Sequence, residues 1–184
     1  MNCAAIADEL FEAELFGHAR GAFTGATGER AGLFEEADRC TLFLDEVSEL
    51  SARAQARLLR AIQEGEIRRV GENFARKIDA RLIAATNRSL SAEVAAGRFR
   101  RDLFYRVNVV RIVVPPLHER VEDIPALANH FWTHAVTVTG SRASLDRATF
   151  AALARYDWPG NVRELQNVMT TLAVSAPRRW RVGP

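Results

Sequence analysis

Two short apolar runs that end in polar side chains constrain the fold of this chain more than any other feature. The first is CTLFLDE (40–46) and the second is RLIAATN (81–87). Runs of this length are typical of buried strands in a parallel sheet. Between them, Ser51 predicts the start of a helix that continues through Glu64 with an apolar face. Strands alternating with helices predict an α/β fold, in which we expect residues 81–86 to be buried.

The rest of the chain surrounds these strands with helices and then changes character. EIRRVGENFARKIDARLIAATN (66–87) predicts a strand, a Gly/Asn turn and a second strand whose last part is the apolar run 81–86, and VVRIVVPPL (109–117) predicts a strand that two prolines stop. Beyond residue 117 the pattern is helical only. The predicted helices span residues 4–16, 51–64, 89–96, 98–106, 122–136, 145–156 and 161–173. We therefore expect an α/β domain over residues 1–118, a small helical domain over 119–175 and a tail over 176–184.

Composition excludes several classes of protein. The 184 residues carry a formal net charge of +2, which gives no case for a nucleic-acid-binding protein on charge alone. No apolar run approaches the roughly 18 residues of a membrane span, and the N-terminus lacks the basic region of a signal peptide. Cys3 and Cys40 lie far apart without zinc-type spacing, so we expect reduced, small buried side chains. These features favour a cytoplasmic location without membrane contact.

Polar residues follow both predicted strands, at the edge of the sheet where α/β proteins bind ligands. Asp45 and Glu46 end the first run, and Thr86 and Asn87 end the second. One carboxylate can hold a hydrated Mg²⁺ while the other orients or deprotonates an attacking water. Taken alone, the carboxylates are also explained by a strand end that meets solvent, and Asn87 by a turn. Because two strand ends converge on one crevice, the residues together favour a ligand site.

Arginines crowd the predicted helix GRFRRDLFYR (97–106). A guanidinium suits the phosphate charge of a transition state, including that of a neighbouring subunit, but without further context a solvated charged helix explains them better. Arg163 lies in the first turn of a predicted helix, where the helix dipole disfavours a cation. Its position is explained either by a bound anion or by a local carboxylate such as Glu164. His130 and His134 are four residues apart, but no third ligand accompanies them, and we assign them no metal.

The segment GAFTGA (21–26) predicts a surface turn, because two glycines bracket it among small and charged residues. Phe23 lies near the middle of this segment. An apolar ring on an exposed glycine turn is unexpected, and it raises the question of what the ring contacts.

Ten motifs occur along the chain in one order, namely NCAAI, ELFGH, GAFTGA, GLFEEAD, TLFLDEV, LLRAIQEGEIRRVG, RLIAATN, FRRDLFYRVNV, PPLHER and WPGNVREL. Over residues 2–173 the chain closely resembles the central AAA+ domain of bacterial enhancer-binding proteins, the NtrC/NifA-like activators of sigma-54 RNA polymerase. GAFTGA preceded by ELFGH is the most specific motif, and it disfavours other AAA+ machines such as helicases or chelatases. The resemblance implies a P-loop-NTPase-like parallel sheet followed by a helical lid, ATP and Mg²⁺ as cofactors, and a homo-oligomeric ring that is hexameric in the family.

The resemblance also implies a role for each residue that matches the family's hydrolysis site. Asp45 matches the Walker B aspartate, which holds Mg²⁺ through water, and Glu46 matches the glutamate that activates the attacking water. Asn87 matches sensor I. Asn2 matches the asparagine that pairs with the Walker B glutamate and gates it.

Further residues match the parts of the family that act on a neighbour or a partner. Arg100 and Arg106 match the arginines that reach the ATP of the next subunit in the ring, and Arg163 matches sensor II of the lid. The loop that contacts sigma-54 is matched by Gly21, Ala22, Phe23, Thr24, Gly25 and Ala26, with Phe23 and Thr24 at its tip. In the family, ATP hydrolysis moves this loop, and the closed promoter complex is remodelled towards an open one.

The chain departs from the family where the phosphates are held. It contains no G-x-x-x-x-G-K-[ST] motif, and Lys77, its sole lysine, lies in no such pattern. In the family this motif precedes NCAAI, and its strand lies between the strands that match 81–86 and 110–114, so we expect an incomplete sheet without the P-loop strand. Arg39-Cys40 replaces a usual Gly-Gly, and Glu36 replaces a frequent arginine. No helix-turn-helix follows residue 173, so we expect DNA binding only from a C-terminal domain outside these residues.

Two functions stay open on the sequence alone. In the first, the chain is a fragment or a mis-started form of a sigma-54-dependent ATPase activator, marginally folded and inactive on its own. In the second, it is a non-catalytic protein that binds sigma-54 or poisons activator rings. The intact residues that match Walker B and sensor I favour the first, since a pure binder has no need of them.

Overall fold

The computed structural model describes residues 1–6, 8–140 and 144–175 of the chain. The chain forms two compact units, Met1–Arg111 and Ile112–Pro184, each with a hydrophobic core of its own. Within the described ranges, no helix combines the length and the apolar character that a membrane crossing needs.

The first unit has the α/β architecture that the sequence predicts. Its strands are β1 (Thr41–Leu44), β2 (Glu66–Ile67), β3 (Arg76–Lys77) and β4 (Arg81–Ala84). Its helices are α1 (Asp8–Phe16), α2 (Leu33–Glu36), α3 (Ala52–Glu64), α4 (Leu90–Ala95) and α5 (Arg101–Val107), with 3₁₀ turns at Cys3–Ala5 and Val47–Glu49. The predicted helix 4–16 is therefore divided into a 3₁₀ turn and α1, and the predicted helix 98–106 begins only at Arg101.

The sheet places the ends of β1 and β4 side by side. These strands pair in parallel, with Phe43 opposite Ile83 and Leu44 opposite Ala84. The first residues of the chain lie along the other edge of β1, where Asp45 N donates to Met1 O at 2.8 Å and Cys3 N donates to Asp45 O at 2.8 Å. The short strands β2 and β3 form a separate antiparallel hairpin.

One face of the parallel sheet is open. Leu42 and Leu44 are buried on the covered face, whereas Phe43 is 47% exposed and Ile83 is 41% exposed on the other. Because successive side chains of a strand point to opposite faces, both exposed residues lie on one side of the sheet. The prediction that residues 81–86 are buried is wrong for this reason: the described residues cover only the face that carries Leu42 and Leu44.

Helix α3 confirms its prediction at both ends. Ser51 Oγ accepts a hydrogen bond from Ala54 N at 3.3 Å, which caps the helix. The helix stops at Gly65, which adopts a left-handed conformation with φ of 63°. Leu58 and Leu59 are buried on its inner face.

The second unit is helical, as predicted. Its helices are α6 (Ile124–Thr139), α7 (Arg147–Leu153) and α8 (Asn161–Ser175), preceded by 3₁₀ turns at Leu117–Glu119 and Val121–Asp123. Leu117, Ile124, Leu165 and Met169 are fully buried in its core. The predicted tail 176–184 lies outside the described residues.

The predicted strand at 109–117 is not a strand. Residues 109–116 carry no regular structure, and Val110 and Ile112 are 80% and 83% exposed. A strand is stable only when another strand satisfies its backbone groups, and among the described residues no strand pairs with this segment. Its β-branched residues favour a strand, but the pairing strand that would stabilise one is not found among the described residues.

The two cysteines are free thiols, but only one is buried. Burial raises the pKa of the Cys3 thiol to about 11, so this thiol is protonated at neutral pH and behaves as a small apolar side chain. The expectation that Cys40 is also buried is wrong, because Cys40 is exposed directly before the exposed first residue of β1.

Candidate functional site

The structure brings Glu46 and Asn87 together at the carboxyl edge of the sheet. Glu46 follows β1 and Asn87 follows β4, and the parallel pairing puts both strand ends at one edge. The Glu46 carboxylate, through Oε2, accepts a hydrogen bond from Asn87 N at 3.3 Å. Backbone bonds fix the two segments to each other, since Ala85 N donates to Leu44 O at 2.8 Å and Val47 N donates to Ala85 O at 3.0 Å.

Glu46 has a strained backbone. Its φ of 56° and ψ of 47° lie in the left-handed region, which costs a residue with a side chain about 1–2 kcal/mol. The Asp45 carboxylate, through Oδ1, accepts a hydrogen bond from Glu46 N at 3.1 Å. The turn at this point ends β1, and the two neighbouring carboxylates have different partners, Glu46 N for Asp45 and Asn87 N for Glu46, so each can have a separate role.

Hydroxyl groups behind the carboxylates tie the two strand ends together. Ser48 Oγ and Thr86 Oγ1 are hydrogen-bonded at 2.8 Å, and Thr86 Oγ1 also accepts from Arg88 N at 3.1 Å. Arg88 in turn forms an ion pair with Glu49 at 2.9 Å. These bonds set the relative position of Glu46 and Asn87 without occupying the carboxylates.

Asn2 lies next to Asp45 through a parallel backbone bridge. Its side-chain oxygen accepts a hydrogen bond from Ala4 N at 2.8 Å and thereby caps the first 3₁₀ turn. The implied pairing of Asn2 with Glu46 stays a prediction, because in this state Asn2 caps the turn and Glu46 Oε2 faces Asn87 N.

The carboxylate of Asp45 fits a magnesium ion that is held mainly by water and phosphate. Mg²⁺ in nucleotide sites takes one or two carboxylates and completes its octahedron with water and phosphate oxygens. Across the described ranges, no group of three or more His, Cys, Asp or Glu side chains could form a dedicated metal cage.

Arg100 and Arg106 bracket α5. Arg100 is the N-cap residue and Arg106 lies in the last turn, and both side chains are exposed. The Arg100 guanidinium forms two bonds with Asp102, Nε to Oδ1 at 3.0 Å and one terminal nitrogen to Oδ2 at 2.7 Å. This contact holds the pKa of the Asp102 carboxyl below its usual range and raises that of Arg100. Both arginines therefore lie at the surface, and Arg100 is hydrogen-bonded to the carboxylate of Asp102.

Arg163 lies exposed in the first turn of α8, in the second unit. The carboxylate that could have explained it, Glu164, is engaged elsewhere: Oε2 accepts from Gly160 N at 2.8 Å and Oε1 accepts from the Tyr156 hydroxyl at 3.1 Å. In the described part of the chain, no carboxylate lies within ion-pair distance of Arg163. The position is consistent with an arginine that meets an anion from outside these residues.

The GAFTGA segment is a closed loop at the surface. Gly21 and Gly25 have φ of 77° and 105°, and Gly21 N donates to Ala26 O at 2.8 Å across the base. Thr24 is exposed, and Phe23 is 38% exposed with its ring edge-on to His18 at 5.1 Å between centroids. The ring of Phe23 is therefore partly exposed at the tip of the loop and packs edge-on against His18.

The base of this loop is joined to the β2–β3 hairpin. His18 N donates to Arg30 O at 3.0 Å, and Ala19 N donates to Val70 O at 2.9 Å. Gly71 lies under the loop so closely that a Cβ there would be 2.9 Å from the Ala22 Cβ. The loop is therefore in direct contact with the hairpin at its base.

Residues 1–113 match the family described as the sigma-54 interaction domain. The chain belongs to the sigma-54 interaction domain family. Residues 118–180 match a second family, the AAA+ ATPase lid domain. The two matches agree with an AAA+ α/β domain followed by a helical lid, and the loop at 21–26 and the strand ends at 45–46 and 87 lie inside the first.

Relatives of this sigma-54 interaction domain are transcription regulators. The transcriptional regulatory protein ZraR of Escherichia coli K12 is 54% identical over 177 residues, which are 95% of this chain and 40% of that relative. The Nif-specific regulatory protein of Azotobacter vinelandii is 49% identical over 174 residues, 95% of this chain and 33% of the relative. The crystal structure of Brucella abortus NtrX in complex with ATP is 35% identical with a TM-score of 0.83, over 95% of this chain and 38% of NtrX. The chain thus spans less than half the length of these relatives.

Sequence reasoning missed two residues that organise the sigma-54 interaction domain. Ser48 has no marker beyond its place after the carboxylates. Gln55 does have one, because it lies on the face of α3 that carries Leu58, Leu59 and Ile62, where an apolar residue is expected. A polar residue at such a buried position is a signal that it has bonds to make.

Proposed function

We propose that this sigma-54 interaction domain couples ATP hydrolysis to remodelling of the closed complex of sigma-54 RNA polymerase. The contact between the Glu46 carboxylate and Asn87 N at 3.3 Å, with Glu46 in a left-handed turn, carries the proposal. This contact supports the proposal because it joins a glutamate with a strained backbone to an asparagine at the sheet edge where α/β proteins bind ligands. NtrX, a relative with the same fold, has been crystallised with ATP.

The proposed roles follow from the position of each side chain. Glu46 takes a proton from a water that attacks the γ-phosphorus, the bond from that phosphorus to the bridging oxygen breaks, and ADP leaves. Asn87 orients that water, and Asn2 exchanges its bond to Ala4 N for a bond to Glu46 when the site is gated. Asp45 would hold Mg²⁺ through water, and the ion neutralises phosphate charge when bound.

The arginines act on phosphate charge from two directions. Arg100 and Arg106 reach the ATP of the next subunit in a homo-oligomeric ring, hexameric as in the family, and Arg163 binds nucleotide as the sensor II arginine of the family does. Arg100 leaves Asp102 for the phosphates, since a guanidinium binds phosphate oxygens in the same two-pronged geometry as a carboxylate.

The loop from Gly21 to Ala26 is the contact with sigma-54. Phe23 supplies apolar area, Thr24 supplies a hydrogen bond, and the bonds to Arg30 and Val70 transmit movement from the body of the domain. We place this activity in the cytoplasm, with DNA binding assigned to residues outside this chain.

The 184 residues by themselves do not turn ATP over in this proposal. They contain no phosphate-binding motif, so the β- and γ-phosphates lack the backbone amides and the lysine that hold them in P-loop enzymes. The exposed face of the sheet and the unpaired segment 109–114 support an incomplete sheet.

A second candidate is a non-catalytic protein that binds sigma-54 or poisons activator rings. The folded GAFTGA loop in a chain without a phosphate-binding motif favours it. This protein would hold sigma-54 without nucleotide.

One experiment separates the two candidates. We define the extended protein as residues 1–184 preceded by the phosphate-binding segment of a family member. ATPase activity and sigma-54 capture are measured for the chain and the extended protein, each with Glu46→Gln and Phe23→Ala. The proposal expects ATP turnover only in the extended protein, its loss in Glu46→Gln by a factor of about 100 or more, and loss of sigma-54 capture in Phe23→Ala. Capture by the short chain that is equally strong without nucleotide, with no turnover in the extended protein, would instead support the non-catalytic candidate.

A further inference from the structure

Gln55 is a fully buried amide whose nitrogen and oxygen are both hydrogen-bonded to backbone groups. The side chain is 1% exposed, in the first turns of α3. Its Nε2 donates to Leu50 O at 2.8 Å and to Arg98 O at 3.0 Å. Its Oε1 accepts from Arg100 N at 2.8 Å. The amide therefore joins α3 to the segment that begins α5.

Only a carboxamide of this length satisfies these three partners. Leu50 O and Arg98 O can only accept and Arg100 N can only donate, so the oxygen and the nitrogen of the amide have fixed places. A carboxylate would face two carbonyl oxygens, and an apolar side chain would remove the hydrogen-bond partner of one buried and two partly buried backbone groups.

The residues before Arg100, from 93 to 99, are held by other contacts. Arg98 forms two bonds with Glu93, at 2.6 and 2.9 Å, and Phe99 is buried in the core. The Arg100 side chain projects to the surface, where Asp102 is also exposed. The backbone of Arg100 is thus held by Gln55 while its guanidinium stays free to change partners.

Gln55 also touches the segment that follows the hydrolysis carboxylates. Leu50 closes the 3₁₀ turn Val47–Glu49, which begins directly after Glu46. One side chain therefore contacts both the end of the turn that carries Glu46 and the start of the helix that carries Arg100.

We propose that Gln55 is a positioning residue that fixes the backbone of Arg100, so that its guanidinium is presented correctly to the site completed by a neighbouring subunit. The proposal rests on the function proposed above, because it assumes that Arg100 acts on the nucleotide of another copy. It predicts that a defect at Gln55 belongs to the subunit that supplies the arginine, and not to the subunit that supplies Glu46.

The first measurement is amide hydrogen exchange in the 184-residue chain. Gln55→Met keeps length and volume but removes the acceptor, and we expect exchange of the Arg100 amide to accelerate about threefold to tenfold. Gln55→Glu keeps the acceptor for Arg100 N, so its Arg100 amide should stay closer to the parent rate than that of Gln55→Met. Gln63→Met, at an exposed glutamine of the same helix, is the matched control. An unchanged Arg100 amide in Gln55→Met would overturn the proposed contact.

The second measurement is complementation in the extended protein. Subunits with Glu46→Gln can supply only the arginine, and subunits with Arg100→Ala can supply only the glutamate. Mixed equally, they should regain activity at about one quarter of the interfaces, since each working interface needs one of each kind in a fixed order. Absence of this recovery would overturn the trans arrangement itself, and with it the proposed function of Arg100.

Gln55→Met is then added to one kind of subunit at a time. Added to the Glu46→Gln subunits, it should lower the recovered activity about tenfold or more, because a small misplacement of a catalytic group is costly. Added to the Arg100→Ala subunits, it should leave most of the activity. Gln55→Glu in the arginine-supplying subunits should lower the activity less than Gln55→Met. Equal losses in both placements, or no loss in either, would overturn the role of Gln55 while leaving the proposed function intact.

Discussion

Arg39 adopts a left-handed backbone conformation, which glycine adopts more readily than a residue with a side chain. Its φ of 58° is left-handed, and its N–H donates to Asp79 O at 2.7 Å, so the conformation is fixed by the fold. We expect Arg39→Gly to stabilise the first unit by about 0.5–1 kcal/mol, the relief of strain less the greater freedom of glycine in the unfolded chain. Urea unfolding measures the change.

The matched control for Arg39→Gly is an arginine in ordinary helical conformation. Arg60 is exposed within α3, and Arg60→Gly should destabilise by about 1 kcal/mol. A loss of stability in both variants would show that Arg39 makes contacts worth more than the strain it bears.

Gly71 sets how closely the hairpin approaches the GAFTGA loop. A Cβ at Gly71 would lie 2.9 Å from the Ala22 Cβ, and the φ of 83° disfavours any side chain. We expect Gly71→Ala to displace the loop and weaken sigma-54 binding several-fold, measured by titration of labelled sigma-54. Gly140→Ala is the control, because Gly140 has a φ of 69° but no atom within 4 Å of its added Cβ. Equal binding by the two variants would mean that the loop position does not depend on this contact.

At the scale of elements, an ion pair joins α2 to the hairpin beneath the loop. Glu35 of α2 forms two bonds with Arg69, at 2.7 and 2.8 Å, and Arg76 approaches the same carboxylate at 3.7 Å. Arg76 is also paired with Glu72 within the hairpin. The hydrogen bond from Arg69 and the nearby charges lower the pKa of Glu35 below its ordinary value, against the opposing effect of burial.

The sign of this shift fixes a pH dependence. A carboxyl with a lower pKa in the folded state contributes stability that is complete above its unfolded pKa, near 4.5, and is lost as the pH falls through the folded value. We expect Glu35→Gln to be less stable than the parent at pH 7, with the difference shrinking as the pH drops below about 4.5. Urea midpoints of both proteins across pH 3–7 measure it. Glu36→Gln, at the adjacent exposed carboxylate, is the control, and a gap for Glu35→Gln that does not change with pH would contradict the ion-pair account.

The elements differ in how far the sequence could predict them. Helix α3 carries its own start and stop at Ser51 and Gly65, so its prediction needed only local information. The residues at 109–117 have the composition of a strand, but strand formation depends on a partner that no local pattern supplies. The expected burial of Ile83 fails for a related reason. Burial requires another layer on that face of the sheet, and no local pattern shows whether such a layer is present.

The candidate site divides in the same way. Asp45, Glu46 and Asn87 could be predicted because strand ends in α/β sheets meet at one edge, and the structure places Glu46 against Asn87. The contact between Gln55 and Arg100 joins residues 45 positions apart and depends on how α3 packs near α5. Spacing along the chain marks Gln55 as a polar residue on a buried face, but only the packing identifies its partners.

At the scale of the whole molecule, the segment 109–114 is the largest departure from a closed fold. Val110 and Ile112 are more than three-quarters exposed, as are few side chains of their type in folded proteins. Among the residues that the structure describes, no strand pairs with this segment, and an apolar segment with unpaired backbone groups is a template for pairing with another chain. We therefore expect the 184-residue chain to associate in a concentration-dependent way, seen as a rising weight-average mass in light scattering.

Replacing these residues by lysine should have opposite effects in the two proteins. In the 184-residue chain, Val110→Lys with Ile112→Lys should lower association, because charges on an unpaired strand block edge-to-edge pairing. In the extended protein, where the added strand is expected to pair with this segment, the same change should destabilise the fold, because it places charges in a sheet that is now covered. Val138→Lys, at a 74% exposed valine of α6, should change neither property. Lowered association together with an unaffected extended protein would mean that residues 109–114 stay outside the sheet even when the phosphate-binding strand is present.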